Sequence, residues 1–427
     1  MKITYLTHAS LLIEVNKLKI ITDPWLIGPS WGGSLWHFPV HKYKPNNLPK
    51  PDIIYFSHGH DDHFHEETIN NFPKNWFDAQ ILIPDFNKKW WNNAVQKFFK
   101  KKNIINLKHN EIKTIKNLNL QMFLNDKGDF DSSLKISNNK SVIFLQTDNL
   151  MSIKEAKRIS KIDKIDFAFM MPYLTGVFPG FYKWSSDDLI YLSKNKNRNS
   201  LEYCTKLISA LKPKYTIPYA CDIGYLGNQF HINLIHTHDK EQLSNFVKSK
   251  KIKTKVIVLE SGDKIKNYKK IKIEKNNNKE SNINELIKFS NENEDAYNDY
   301  INRERSLDKP KIEDLFLYFK KNLSDNLKKV SKFNFKTKIN IHENLKIKSL
   351  IVNFKKNKIE KTLSQKTKSN LIINIEASKL RNLFLKKYPI NFATLHNGGY
   401  KCERYNFEYS KNEQKQWEWM NSIYFKI

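Results

Sequence analysis

Four histidines and two aspartates fall within eight residues in Ser57-His58-Gly59-His60-Asp61-Asp62-His63-Phe64-His65. Neutral imidazole and carboxylate are the ligands that zinc and similar divalent ions take. At the end of a strand, the spacing His-x-His-x-Asp-His lets His58 and His60 reach one metal. Asp62 and His63, farther along the loop, reach a second position. Gly59 allows a bend that a β-branched residue would resist. His65 falls outside the pattern and reads as a neighbour. The bland alternative is a polar loop or an incidental histidine tract. Four ligand-type residues at this spacing, directly behind an apolar strand, weigh against it. A metal site on His58, His60, Asp62 and His63 is therefore expected.

The elements that must position this cluster are legible around it. Ile53-Ile54-Tyr55-Phe56 is a short apolar strand running straight into the histidines. Before it, Ile3 to Leu6, Ser10 to Val15 and Lys19 to Thr22 read as strands, with a hairpin at Asn16-Lys17 and a turn at Asp23-Pro24. The segment Trp25 to Pro51 mixes glycine and proline with Trp25, Trp31 and Trp36, which suggests an ordered loop walling a pocket. Farther on, Ile81-Leu82-Ile83, Leu118 to Leu124, Ser133 to Ile136, Ser141 to Leu145, Tyr215 to Pro218 and Lys255 to Leu259 read as strands. Trp90 to Phe99 looks helical, and Leu201, Cys204, Leu207, Ile208 and Leu211 recur at helical spacing before Pro213. Strands followed by helices, repeated, predict a layered α/β structure over 1–265. A polar stretch over 266–310 reads as a linker, partly helical around Ile283 to Phe289. Apolar patterning returns in a helix from Ile312 to Leu323 and in strands at Ile339-Asn340-Ile341, Leu350 to Phe354 and Leu371 to Ile375. A smaller C-terminal α+β domain over 311–427 is expected.

The 427 residues carry a formal net charge of +29, which raises nucleic-acid binding as an alternative. Only six of the 73 basic residues are arginine, the residue of bidentate phosphate and base recognition. The rest is lysine, inflated together with asparagine and isoleucine as in Lys275-Asn276-Asn277-Asn278-Lys279. Compositional drift accounts for this better than a nucleic-acid partner, although a positive field still speeds the arrival of an anionic substrate. Cys204, Cys221 and Cys402 are scattered and odd in number, so no disulfide framework or CxxC knuckle is expected. The start at Met1-Lys2-Ile3-Thr4-Tyr5 opens into a strand pattern rather than a secretion signal, and no apolar run approaches the ~20 residues of a membrane helix. A cytoplasmic protein is expected. No sequence feature fixes an oligomeric state.

With these residues in view, the segment around His58 resembles the metallo-β-lactamase superfamily. The resemblance implies a four-layer αββα fold with one or two zinc ions at the strand ends. It extends to Asp23 in Thr22-Asp23-Pro24-Trp25, a structural residue near the site, and to Asp148 in Leu145-Gln146-Thr147-Asp148-Asn149, a bridging metal ligand. The chain is similar in particular to the metallo-β-lactamase-like part of the CMP-N-acetylneuraminate hydroxylases. That similarity lies at Leu6-Thr7-His8-Ala9, at Thr22 to Pro29, at Ile54 to His58, at Phe169-Met170-Met171 with the loop to Gly180-Phe181, and at Pro218-Tyr219-Ala220. Two departures stand out. Where the superfamily carries a third histidine motif, this chain has Asp126-Lys127-Gly128-Asp129-Phe130-Asp131. Where it carries a fifth, this chain has Ala220-Cys221-Asp222, with His231 later. The resemblance then implies a first metal on His58 and His60 with Asp129 or Asp131. It implies a second on Asp62, His63 and Asp148 with Asp222 or His231.

The expected activity is hydrolysis of an acidic or phosphorylated small molecule, such as a nucleotide sugar, by a metal-bound hydroxide. Asp62 would be the catalytic residue that orients the hydroxide or takes its proton. Trp25, Trp31, Tyr173 and Tyr219 are candidate walls of the substrate pocket. The alternative is a non-haem iron oxygenase fed by a separate electron-donor protein, because this chain lacks the paired Cys and His ligands of a Rieske cluster. A degenerate binding protein is the non-enzymatic alternative.

Overall fold

The computed structural model describes residues 1–87, 90–125, 130–173, 178–234, 240–267, 271–275, 283–307, 310–328, 330–361, 368–385, 400–404 and 410–421. Two sheets pack face to face. The first runs in the order Ile271–Glu274, Lys264–Asn267, Lys2–Thr7, Ser10–Val15, Leu18–Thr22, Ile53–Tyr55, Gln80–Pro84, Ile104–Leu107. The second runs Lys255–Val256, Tyr215–Pro218, Phe167–Met170, Ser141–Leu145, Ser132–Asn138, Leu118–Leu124, Ile112–Ile115. Strands buried on both faces need near-continuous apolar runs, and the central strands supply them. Ile143, Leu145, Phe167 and Phe169 join the core between the sheets. The alternate residues Phe144, Ala168 and Met170 face the helices behind. Each such buried side chain contributes about 1.5–3 kcal/mol.

The outer layers are helices. Ile153–Ile162 begins at Ser152, whose hydroxyl accepts the Glu155 N–H at 3.2 Å. Ser186–Leu211 ends at left-handed Lys212, ahead of Pro213. Ala156, Ile159, Leu201, Cys204 and Leu207 cover the second sheet. On the first sheet, Ile69 of Glu66–Asn70 and Trp91 and Val95 of Trp90–Gln96 are buried. This helix–sheet–sheet–helix layering is the α/β class expected from the sequence. The hairpin at Asn16 and Lys17 is also present, with φ of +50° and +63°, as a primed two-residue turn requires.

The C-terminal unit is α+β. Its sheet runs Lys358–Lys361, Lys346–Asn353, Lys336–Glu343, Leu371–Glu376, Tyr400–Arg404, with the helix Ile312–Leu327 on it. Its core also takes Tyr182 from the first unit. The Tyr182 hydroxyl donates to Glu413 Oε1 at 2.6 Å and accepts from Trp417 Nε1 at 2.8 Å.

The polar stretch 266–310 is helical around Ile283 to Phe289, as expected, and carries further regular structure. Lys264–Asn267 and Ile271–Glu274 form a hairpin that extends the first sheet, pairing Ile265 with Ile3. Ile283–Glu292 and Glu294–Ser306 are helices. A few anchors suffice against the lysine- and asparagine-rich background: Ile265, Leu286, Tyr297 and Ile301 are buried. Among the described residues no helix is long and apolar enough to cross a membrane.

Candidate metal centre

In the first sheet Leu18–Thr22, Ile53–Tyr55 and Gln80–Pro84 are mutually parallel. In the second, Ser141–Leu145, Phe167–Met170 and Tyr215–Pro218 are parallel too. Side chains that follow the carboxyl ends of neighbouring parallel strands converge on one crevice. Asp23, His58 and Asp148 follow three of these ends.

The cluster is compact. His58 Nε2 lies 2.7 Å from His60 Nδ1 and 3.8 Å from both Asp131 Oδ1 and Asp148 Oδ2. Asp148 Oδ2 is 3.7 Å from His60 Nδ1, while its Oδ1 is 3.3 Å from His63 Nε2. Asp148 therefore spans the pair His58/His60 and the residue His63, as a bridging carboxylate would. Asp62 Oδ2 is 3.8 Å from His63 Nε2 and 3.3 Å from His8 Nε2. Tetrahedral ligands about 2.1 Å from a zinc ion lie roughly 3.4 Å apart, so the separations that involve Asp62, Asp131 and Asp148 suit a shared cation, while His58 and His60 stand closer than that. Among the described residues three sets could hold an ion: His58, His60 and Asp131; His58, His63 and Asp148; His8, Asp62 and His63. Orphaned atoms agree with this, since the buried His63 Nε2 and Asp131 Oδ1 have no hydrogen-bond partner among the described residues.

A ring of supporting contacts fixes the ligands. Asp23 accepts the Ser57 N–H at 2.7 Å and the Ser57 hydroxyl at 2.7 Å, and its Oδ2 is 2.9 Å from His63 Nδ1. Ser57 Oγ is 2.9 Å from His58 Nδ1. Trp31 Nε1 donates to Asp62 Oδ1 at 2.8 Å, and its ring sits 5.2 Å from that of His60. His8, Asp23, Trp31, Thr147 and Ala220 all have positive φ. Each such non-glycine conformation costs about 1–3 kcal/mol and persists where packing over-determines it.

The electrostatics suit a cation. Burial, then His63 and His60, hold the His58 imidazole well below its usual range, in the neutral ligand form. Burial alone would raise Asp148, but His63, with the nearby ring nitrogens of His60 and His58, holds it well below the carboxylate range. Burial opposes protonation of His63, yet Asp148, Asp23 and Asp62 raise it well above the usual imidazole range. Burial pushes Asp131 up to about 7. The crevice thus favours extra positive charge, which a metal ion supplies as well as protons do.

Some expectations change. Asp222 pairs with Lys240 Nζ at 2.6 Å and accepts the His8 N–H at 3.2 Å, which ties it to a lysine instead of the cluster. His231 Nε2 donates to the Gly180 carbonyl at 3.0 Å, in a cleft against the C-terminal unit. Asp129 lies outside the described residues. Trp25, Tyr173 and Tyr219, the other candidate pocket walls, are buried. They are core side chains at 0%, 2% and 0% exposure, with the Trp25 indole on the Gly28 carbonyl and the Tyr219 hydroxyl on the Ala9 carbonyl. Trp31 reaches the cluster at Asp62 and His60, and Trp25 reaches it edge-on at His8. Gly59 does not need a left-handed bend. A Cβ there would sit 2.5 Å from Trp90 Cη2, so close packing requires the glycine. His8 was missed as a site residue. Its signal was present in Leu6-Thr7-His8-Ala9, at a strand end paired with Ser10–Val15.

Residues 2–153 match the family described as beta-lactamase superfamily domain. Cytidine monophosphate-N-acetylneuraminic acid hydroxylase of Cricetulus griseus is 35% identical over 94 residues, 21% of this chain and 16% of the relative. The Macaca mulatta enzyme of the same name is 24% identical over 261 residues, 58% of this chain and 43% of the relative. The chain thus matches less than half the length of these curated relatives. Among solved structures, the metallo hydrolase Igni18 of Ignicoccus hospitalis is similar, with a TM-score of 0.43 and 15% identity over 63% of this chain and 99% of that one. Two face-to-face sheets under helices, with a histidine–aspartate crevice at their strand ends, form a metallo-β-lactamase fold, and residues 2–153 match the beta-lactamase superfamily domain.

Proposed function

We propose that the chain is a metal-dependent hydrolase of an acidic or phosphorylated small molecule, with nucleotide sugars the first class to test. The observation that carries this reading is Asp148, whose two oxygens face His58/His60 on one side and His63 on the other. Such a carboxylate holds one or two ions in register with a reacting group. A divalent ion bound there lowers the pKa of a water to about 7 and polarises a carbonyl or phosphoryl oxygen. Zinc fits the nitrogen and oxygen ligand set. Asp62 orients through both oxygens: Oδ1 takes the Trp31 indole N–H and Oδ2 faces His8 and His63. It is therefore a positioning and ligating group more than a proton carrier.

A cleft of about 740 Å³ between the two units supports this substrate class. Lys183, Arg305 and Lys401 line it, as do Glu376, Glu403 and Gln229. Cations suit phosphate, while carboxylates and amides suit hydroxyl groups. The helix Glu294–Ser306 links the cleft to the crevice. Its Ile301 lines the cleft and, with Tyr300, packs on Gly33, two residues from Trp31. The free, buried cysteines fit a reducing, cytoplasmic setting.

An iron oxygenase is the second reading. The relatives bear the name hydroxylase, and His58, His60 and Asp131 make a two-histidine, one-carboxylate set. That chemistry needs electrons from a separate protein. Elemental analysis of the purified chain, with His58→Ala and His60→Ala as controls, decides between them. Zinc together with turnover of a phosphoester, lactone or nucleotide sugar supports the hydrolase. Iron with oxygen consumption moves the second reading first. No metal after reconstitution leaves a binding protein and sinks both.

A further inference from the structure

We infer that His8 closes a second metal position with Asp62 and His63. This inference rests on the metal-centre reading above and names a ligand that the histidine cluster does not contain. His8 sits in the turn between Lys2–Thr7 and Ser10–Val15, with φ of +41°. Three contacts hold its backbone there, two of them from the distant segment Ala220–Asp222. The His8 N–H donates to Asp222 Oδ2 at 3.2 Å, and the carbonyl accepts from Ala220 N at 3.1 Å and from the Tyr5 hydroxyl at 3.2 Å. The segment Ala220–Asp222, which supplies no ligand of its own, thus presents His8.

The ring is 3% exposed, wedged edge-on against Trp25 and His63 at centroid separations of 5.5 Å each. Neither of its nitrogens has a hydrogen-bond partner among the described residues, and the same holds for His63 Nε2. Leaving such buried donors and acceptors unmatched is costly. His8 Nε2 is 3.3 Å from Asp62 Oδ2, which is 3.8 Å from His63 Nε2. One proton can satisfy one of these contacts. One cation satisfies the two imidazoles and the carboxylate together, and Asp148 Oδ1, 3.3 Å from His63 Nε2, offers a fourth donor. A second ion at His58, His60 and Asp131 leaves Asp148 between the two.

The test counts ions on the full chain. Wild type, His8→Ala and His8→Gln are stripped with a chelator, loaded with zinc chloride or cobalt chloride, desalted and analysed for metal and protein. Circular dichroism checks that each is folded. The expected result is two equivalents in wild type and one in both variants, with one component of the cobalt absorption spectrum lost. His8→Gln fills the site and keeps an N–H for Asp62. If it retains two equivalents at unchanged affinity, His8 only orients Asp62 and the inference is overturned. One equivalent in wild type and variants alike also overturns it, while the metal-centre reading stands. No metal in wild type removes both.

Discussion

Asp23 Oδ2 and His63 Nδ1 lie 2.9 Å apart with both side chains sealed from solvent. The contact fixes the ring so that Nε2 faces Asp62 and Asp148. Asp23 also takes two hydrogen bonds from Ser57, directly before His58. Outer partners of this kind typically set metal affinity by 10–100-fold. Asp23→Asn is therefore expected to weaken metal binding by about 10–100-fold while the fold persists. Chelator competition measures it, and an unchanged dissociation constant would refute the role.

Gly59→Ala tests the tight packing between the two leading histidines. The new methyl meets the Trp90 indole at 2.5 Å and Trp91 Cε3 at 3.1 Å. Overpacking of this sort costs about 1–3 kcal/mol. Chemical denaturation should show that loss, and loaded metal should fall because His58 and His60 shift with the backbone. A neutral result means the loop relaxes freely.

Lys240 is buried beside Asp222, at 2.6 Å, and Glu260, at 3.4 Å, and donates to the Leu259 carbonyl at 2.8 Å. Its ammonium also sits 4.9 Å above the Tyr5 ring. Removing one partner leaves a buried carboxylate uncompensated, a loss of about 3–5 kcal/mol. Lys240→Met should lower the free energy of unfolding by that amount. Because Asp222 also holds the His8 N–H, occupancy of the second metal should drop too. Wild-type stability in urea would count against the network.

Burial lowers His41 to about 4 against the opposing pull of Asp222, and the Tyr43 N–H donates to its Nδ1 at 3.2 Å, which favours the neutral ring. The facing ring is His37, 4.2 Å away. Unfolded, His41 titrates near 6.5, so as pH falls the unfolded chain takes the proton first. Its contribution to stability is whole above about 6.5 and is lost as pH drops toward about 4. His41→Gln should flatten the fall in urea midpoint across that window. Parallel curves for the two proteins would exclude His41 as the cause.

How much of this was legible beforehand depended on distance along the chain. The segment His58 to His63 could be read directly, because its ligands lie within six residues behind the apolar strand Ile53–Tyr55. The α/β layering was legible for the same local reason: short apolar runs such as Ser141–Leu145 and Tyr215–Pro218 read as strands. Asp23 and Asp148 were reached by resemblance and by their place after strands. Polar composition concealed the hairpin Lys264–Glu274 and the helix Glu294–Ser306, whose few buried anchors are separated by lysine, asparagine and glutamate.

By itself, then, the sequence determined the ligand types, their tight spacing and the strand that delivers them, since these depend on neighbours in the chain. Only the tertiary structure decided which remote side chains join them. Parallel strand ends brought Asp23 and Asp148 to the crevice. The register of Lys2–Thr7 on Ser10–Val15 put His8 beside Asp62 in place of Asp222 or His231. Burial turned Trp25, Tyr173 and Tyr219 into packing. These outcomes rest on contacts between residues up to two hundred positions apart, and no local period or motif encodes such contacts.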